Sequence, residues 1–194
     1  MSTIQILERT LLSDQKYRLE RVLFEKPSLK GEMHHQENEV YFRPDAVTVL
    51  LVDEEEQKFL FTKQFRLPTF LNGSETGYLL ESCAGLIDEG ETPEQAAYRE
   101  VKEETGYDIK ELTRYTGVYS SAGGITEYIY LFTAIYNSNG EKEQGGGLEN
   151  EGEDIEIVEM SFNDAKTKLF AGEFRDAKTM MLLQHYFLTR GLAN

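Results

Sequence analysis

The sequence holds a single cysteine, Cys83, no tryptophan, and only 4 prolines among 194 residues. One cysteine excludes an intrachain disulfide, which fits a reducing compartment such as the cytoplasm. Basic residues are also scarce: 20 Lys and Arg stand against 35 Asp and Glu, a formal charge of −15. So negative a chain repels phosphate backbones and anionic bilayers, which speaks against nucleic-acid and membrane partners. Long apolar runs are missing too. The most apolar stretches, residues 47–52 and 128–136, fall far short of the ~20 residues a spanning helix needs. The first residues, MSTIQILERTLLSDQ, lack a basic segment followed by an apolar one, so no signal peptide is expected. What is present is core material. Hydrophobic residues make up 40% and aromatic residues 11%, which excludes a disordered chain. The expectation is a soluble cytoplasmic protein.

The pattern along the chain is mixed α and β. Residues 3–43 read as a β-rich arm: 17–24 alternate, 26–31 contain Pro27, Ser28 and Gly31 as a turn, and 39–42 return. Residues 47–53 (VTVLLVD) form a continuous apolar run, as in a strand buried on both faces. Further strands are expected at 58–64, 78–84, 112–119, 127–136 and 155–159, with a polar loop at 71–77 and a long acidic, Gly-rich loop at 137–152. A helix is expected over 93–105, with Thr92 as N-cap, Pro93 in its first turn and Gly106 as its stop. Two more are expected at 163–170 and 176–190. The organisation is therefore an arm, residues 1–44, followed by a domain, residues 45–194.

The helix over 93–105 carries the chemistry. At about 100° per residue, Glu100, Glu103 and Glu104 fall within a sector of roughly 100°. Like charges so placed repel, and helix stability does not ask for them. A solvated acidic face is one reading. The other is a divalent cation of the Mg²⁺ or Mn²⁺ type, which prefers such hard oxygen ligands. Arg99, four residues before Glu103, can orient it.

The wider spacing decides between them. Gly85, Glu91, Arg99, Glu100, Val101, Glu103, Glu104 and Gly106 match the Nudix box, and the chain is identified as resembling the Nudix hydrolases. Tyr107 departs from the box, which usually ends on an aliphatic residue. The resemblance implies an α/β fold, the Nudix α/β/α sandwich, with an N-terminal β arm exchanged between the subunits of a homodimer. It implies Mg²⁺, with Mn²⁺ as substitute, held by Glu100, Glu104 and the Ala84 carbonyl. Glu103 is implied as ligand or base, Arg99 as the residue orienting the glutamates, and Glu91 as the partner holding the helix.

Stretches outside the box resemble bacterial GDP-mannose pyrophosphatases, relatives of the ADP-ribose and ADP-sugar pyrophosphatases: residues 63–86, 120–132, 145–157 and 172–183. This resemblance implies hydrolysis of a nucleotide sugar, GDP-mannose to GMP and mannose 1-phosphate, with ADP-ribose or ADP-sugars as the alternative. It implies substrate contacts at Tyr17, Glu37, Asn38 and Glu39 in the arm, and at Arg66, Ala84, Gly85, Leu86, Glu104, Glu127, Gly147, Leu148 and Lys178 beyond it. Arg175 is read as structural instead. The Gly-rich loop implies one more acid that binds metal or acts as base. Counting from the glycines points to Glu151, counting back from the next strand to Glu153, and Glu151 is preferred. Ala122 stands where relatives commonly carry proline, a lost turn rigidifier. A sensor of nucleotide sugars without catalysis is the rival of a different class; the intact Arg99, Glu100, Glu103 and Glu104 argue against it. His34, His35 and His185 lack ligand spacing, and Cys83 reads as a packed thiol.

Overall fold

The computed structural model of the chain describes residues 4–147 and 154–191. They fall into two compact units, one reaching to Asp45 and including Val118–Ile129, the other comprising Ala46–Gly117 and the residues from Tyr130 onward.

In the first unit three strands, β1 (Gln5–Asp14), β2 (Arg18–Pro27) and β3 (Met33–Phe42), form an antiparallel sheet in sequence order. The expected turn is there: Ser28 Oγ accepts hydrogen bonds from the Lys30 and Glu32 amides, each at 3.2 Å. The returning strand is longer than residues 39–42, because β3 pairs with β2 from Met33 onward. After Met33 its start, HHQENE, is polar throughout. Backbone pairing rather than apolar alternation holds it, so the pattern gave no sign of it. The 118–129 segment adds a turn in which Ser121 O accepts from the Gly124 and Ile125 amides at 3.1 and 3.0 Å. That turn closes on backbone bonds, without the proline that Ala122 replaces.

The larger sheet has seven strands among the described residues. Its main path runs β10 (Glu156–Ser161), β5 (Lys58–Phe65), β4 (Ala46–Asp53), β9 (Tyr128–Ile135), β8 (Glu111–Tyr119), with β6 (Tyr78–Glu81) on β5 and β7 (Cys83–Leu86) on β4. All of β4 is buried, as its unbroken apolar run requires. Val47, Val49 and Leu51 face one side with Leu60, Cys83 and Phe132, and helix α2 (Pro93–Thr105) covers them through Ala96, Ala97 and Val101. Burying one such aliphatic side chain contributes about 1.5–3 kcal/mol. On the other face Phe59 meets Phe162 of α3 (Phe162–Phe170) and Tyr186 and Phe187 of α4 (Ala177–Gly191). Helices thus cover both faces of a central sheet.

Three local differences from the sequence reading matter. The expected strand at 78–84 is two strands that change partner at Ser82, whose amide donates to Thr179 Oγ1 at 2.6 Å. A short helix, α1 (Leu67–Leu71), precedes the polar loop. Tyr107 lies in the core against Tyr136, ring centroids 5.1 Å apart, so an aromatic ring does the packing expected of an aliphatic side chain.

Candidate active site

The site forms where α2 meets β7. Thr92 caps the helix in a reciprocal capping box: its Oγ1 accepts from the Gln95 amide at 3.2 Å, and Gln95 Oε1 from the Thr92 amide at 2.8 Å. Gly106 ends it in the left-handed region, at φ 75°. Fixed at both ends, α2 presents its acidic face toward the strand that precedes it.

Arg99 is the hub of that face. Its Nε and Nη2 donate to Glu91 Oε1 and Oε2, both at 2.8 Å. Its Nη1 donates to Glu100 Oε1 at 2.8 Å and Glu103 Oε2 at 3.1 Å, and its Nη2 also reaches the Leu86 carbonyl at 2.9 Å. One guanidinium therefore gathers three carboxylates and the β7 backbone, the forked geometry arginine suits. The paired bonds from Arg99 hold the Glu91 carboxyl down at about 2. Arg99 in turn is raised above its ordinary value, first by Glu91.

Glu104 is buried, 1% exposed, with Oε2 accepting from the Ala84 amide at 3.1 Å. Glu100 sits directly over Gly85: a Cβ there would fall on the Glu100 carboxylate. The structure thus brings Ala84, Gly85, Leu86, Arg99, Glu100, Glu103 and Glu104 together. Among the described residues, no three acidic, histidine or cysteine side chains are arranged to hold a metal ion between them. Glu100 and Glu103 turn to Arg99, and Glu104 to Ala84.

The Gly-rich segment meets the helix from its other end. The amides of Glu143, Gly146 and Gly147 donate to the carbonyls of Gly106, Glu104 and Glu103 at 2.9, 2.8 and 3.3 Å. Those carbonyls have no partner within the helix. Gly145 lies so close that a Cβ there would stand 2.8 Å from Glu104 O.

These positions form the signature of one family, and most of the chain agrees: residues 42–183 match the NUDIX domain model. The chain belongs to the Nudix family. It is 41% identical over 184 residues to the GDP-mannose pyrophosphatase of Pectobacterium atrosepticum, covering 95% of this chain and 94% of the relative. It is 38% identical over 182 residues to the GDP-mannose pyrophosphatase of Escherichia coli, covering 94% of each. In fold it is similar to the crystal structure of an ADP compounds hydrolase, with a TM-score of 0.71, 22% identity, and coverage of 99% of this chain and 95% of that one.

The other sequence-derived Nudix candidates are placed as follows. Arg66 and Lys178 meet on a residue the sequence reading passed over, Glu81. Burial opposes the charge of Glu81, 2% exposed, but Arg66 and Lys178 outweigh it and its pKa is lowered. A signal existed: an acid inside the apolar strand YLLE must find a partner. Tyr17, Glu37, Asn38, Glu39 and Glu127 all lie in the first unit. There Arg43 stacks over the Tyr17 ring, 4.9 Å from its centroid, and pairs with Glu127 at 3.1 Å. Glu37 faces Arg21 at 3.8 Å. Asn38 and Glu39 pair across to Val22 and Arg21 on β2. Leu148, Glu151 and Glu153 lie outside the described residues. Cys83 is buried in the core, and no described helix is long and apolar enough to cross a membrane.

Proposed function

We propose that the chain hydrolyses the pyrophosphate of a nucleotide sugar, GDP-mannose to GMP and mannose 1-phosphate. The observation that supports this best is the Arg99-centred cluster with Glu104 against Ala84. Similarity over most of the chain to enzymes named for GDP-mannose gives the substrate.

Carboxylates and a backbone carbonyl are hard oxygen donors, and Gly85 leaves Glu100 the room to serve as one. Glu100, Glu104 and the Ala84 carbonyl would hold a divalent cation, proposed as Mg²⁺ with Mn²⁺ as substitute, and Glu151 is proposed to join them. The cation supplies the positive charge that offsets the pyrophosphate oxygens. Arg99 keeps Glu100 and Glu103 side by side despite their repulsion. Glu103, Glu151 or Glu153 takes the proton of the attacking water as its oxygen bonds to phosphorus and the bridging P–O bond breaks. Arg66, Lys178, Ala84, Gly85, Leu86, Gly147 and Leu148 are proposed substrate contacts, as are Glu127 and the arm residues Tyr17, Glu37, Asn38 and Glu39.

The same reading includes a homodimer that exchanges the arm, residues 1–44, while residues 45–194 carry catalysis. Ile6 and Leu11 of β1 support it, 53% and 56% exposed. A cytoplasmic location completes it, consistent with Cys83 as a buried thiol. A panel of GDP-mannose, ADP-ribose and ADP-glucose with Mg²⁺, with products identified, tests the substrate. Much faster cleavage of ADP-ribose would overturn it. Glu104→Gln is expected to lose at least ~100-fold in kcat, the scale of a misplaced catalytic group, while its thermal unfolding stays cooperative. Near-normal turnover would refute the assignment of Glu104.

A further inference from the structure

Among the described acids outside α2, Glu81 is the most deeply buried, and the reaction outlined above gives it no role. It stands on β6 between two cations. Arg66 Nε and Nη2 donate to its Oε1 and Oε2 at 2.6 and 3.1 Å, and Lys178 Nζ donates to Oε2. Lys178 Nζ also donates to Asp176 Oδ1 at 2.9 Å. The cluster thus holds two cations and two carboxylates, and its formal charges cancel.

The cluster is also rigidly seated. The second oxygen of Asp176 accepts from the Thr179 amide at 2.9 Å and from its hydroxyl at 2.5 Å. Thr179 Oγ1 accepts from the Ser82 amide, and Ser82 Oγ lies 2.6 Å from Thr48 Oγ1. Thr48, Ser82 and Thr179 are each fully buried. Buried, satisfied networks of this kind fix a unique geometry.

A binding site for a bare terminal phosphate would be expected to present net positive charge. This one presents donors without it. Such donors suit the hydroxyl groups of a neutral ligand, for which charge gains little and orientation matters. We infer that Glu81 is a positioning and selectivity residue: it sets Arg66 and Lys178 side by side as charge-cancelled donors for the sugar hydroxyls, and so disfavours a nucleotide whose terminal phosphate carries no sugar. This rests on the reading of Arg66 and Lys178 as substrate contacts.

The test compares GDP-mannose as substrate with GDP as competitive inhibitor, at fixed Mg²⁺ concentration. Glu81→Gln keeps the shape and leaves the cluster with one net positive charge. Its KM for GDP-mannose is expected to rise about tenfold, the scale of a weakened charged hydrogen bond, while kcat stays within about twofold. Its Ki for GDP is expected to fall. Opposite movements of KM and Ki are something a general loss of structure cannot produce. A Ki that stays level or rises overturns the inference. Asp176→Asn adds the same net charge at the far side of the cluster and keeps its acceptor for Thr179, so it serves if Glu81→Gln does not fold. Its Ki for GDP must also fall. If Arg66→Ala and Lys178→Ala leave KM for GDP-mannose unchanged, the underlying reading of those two residues is wrong. If they raise KM and neither charge variant lowers Ki, only the role given to Glu81 is wrong.

Discussion

At Gly85 a missing side chain makes room for a charged one. The Glu100 carboxylate occupies the volume that a Cβ would take, so the strand and the helix can approach only with glycine at that point. Gly85→Ala must push Glu100 aside or part β7 from α2. A loss of about 100-fold in kcat/KM is expected, since a shift of ~1 Å at such a group has that effect. Retained activity in steady-state assays would show that Glu100 is not held by this contact. Residues of this sort were legible in the sequence because box spacing marks each by type and distance. Glu81 was not. Its role depends on Arg66 and Lys178 arriving from distant parts of the chain, and spacing says nothing about that. The same holds for Tyr107, whose place in the core depends on Tyr136 just past the end of β9.

Elements with local punctuation were read most closely. The limits of α2 follow from Thr92, Pro93 and Gly106, whose effects act within a turn. The break at Ser82 was hidden because it comes from Thr48 and Thr179, not from a turn residue. Element β1 was merged into a general arm, since QILERTLLSD has no clean alternation. The β4–β5 turn shows how a single side chain seals a junction. Asp53 Oδ1 accepts from the Glu55 and Glu56 amides at 3.1 and 3.0 Å, and Oδ2 from the Ser138 amide and hydroxyl at 2.8 and 2.6 Å. Burial opposes the Asp53 charge, but the Glu56 and Ser138 donors prevail and its pKa is lowered below the ordinary 3.8. A depressed folded value stabilises above the unfolded one and is lost as pH falls through the folded one. Asp53→Asn is therefore expected to be about 1–3 kcal/mol less stable at pH 7, with an amide placed where two donors need an acceptor. Its deficit in urea unfolding should shrink below pH 3.8. A gap that widens with acid would contradict this. Gly145→Ala belongs at the same scale: its Cβ would press on the Thr105–Gly106 backbone. Turnover and stability are both expected to drop, by at least about tenfold and 1–3 kcal/mol, the range of an overpacked contact. Unchanged thermal melts and kinetics would show that the segment yields freely.

For the whole molecule, the proposed dimer predicts a sedimentation mass of twice the 22.3 kDa chain. Leu11→Asp on the exposed face of β1 should shift it toward the monomer. A wild-type monomer at micromolar concentration would exclude the exchanged arm. The clip between residues 143–147 and the end of α2 also has a kinetic consequence. Gly106 and Gly145 are neighbours in space, yet the entire β8 and β9 sequence lies between them. The carbonyls of Glu103 and Glu104 cannot be sealed until that long intervening chain has been closed into place. Contacts of such sequence separation form late, because loop closure must come first. The catalytic helix would then be wound before it is locked. Destabilisation by Gly145→Ala should surface as faster unfolding, with refolding hardly slowed. On a ribosome, the helix that carries the chemistry would wait for chain made well after it.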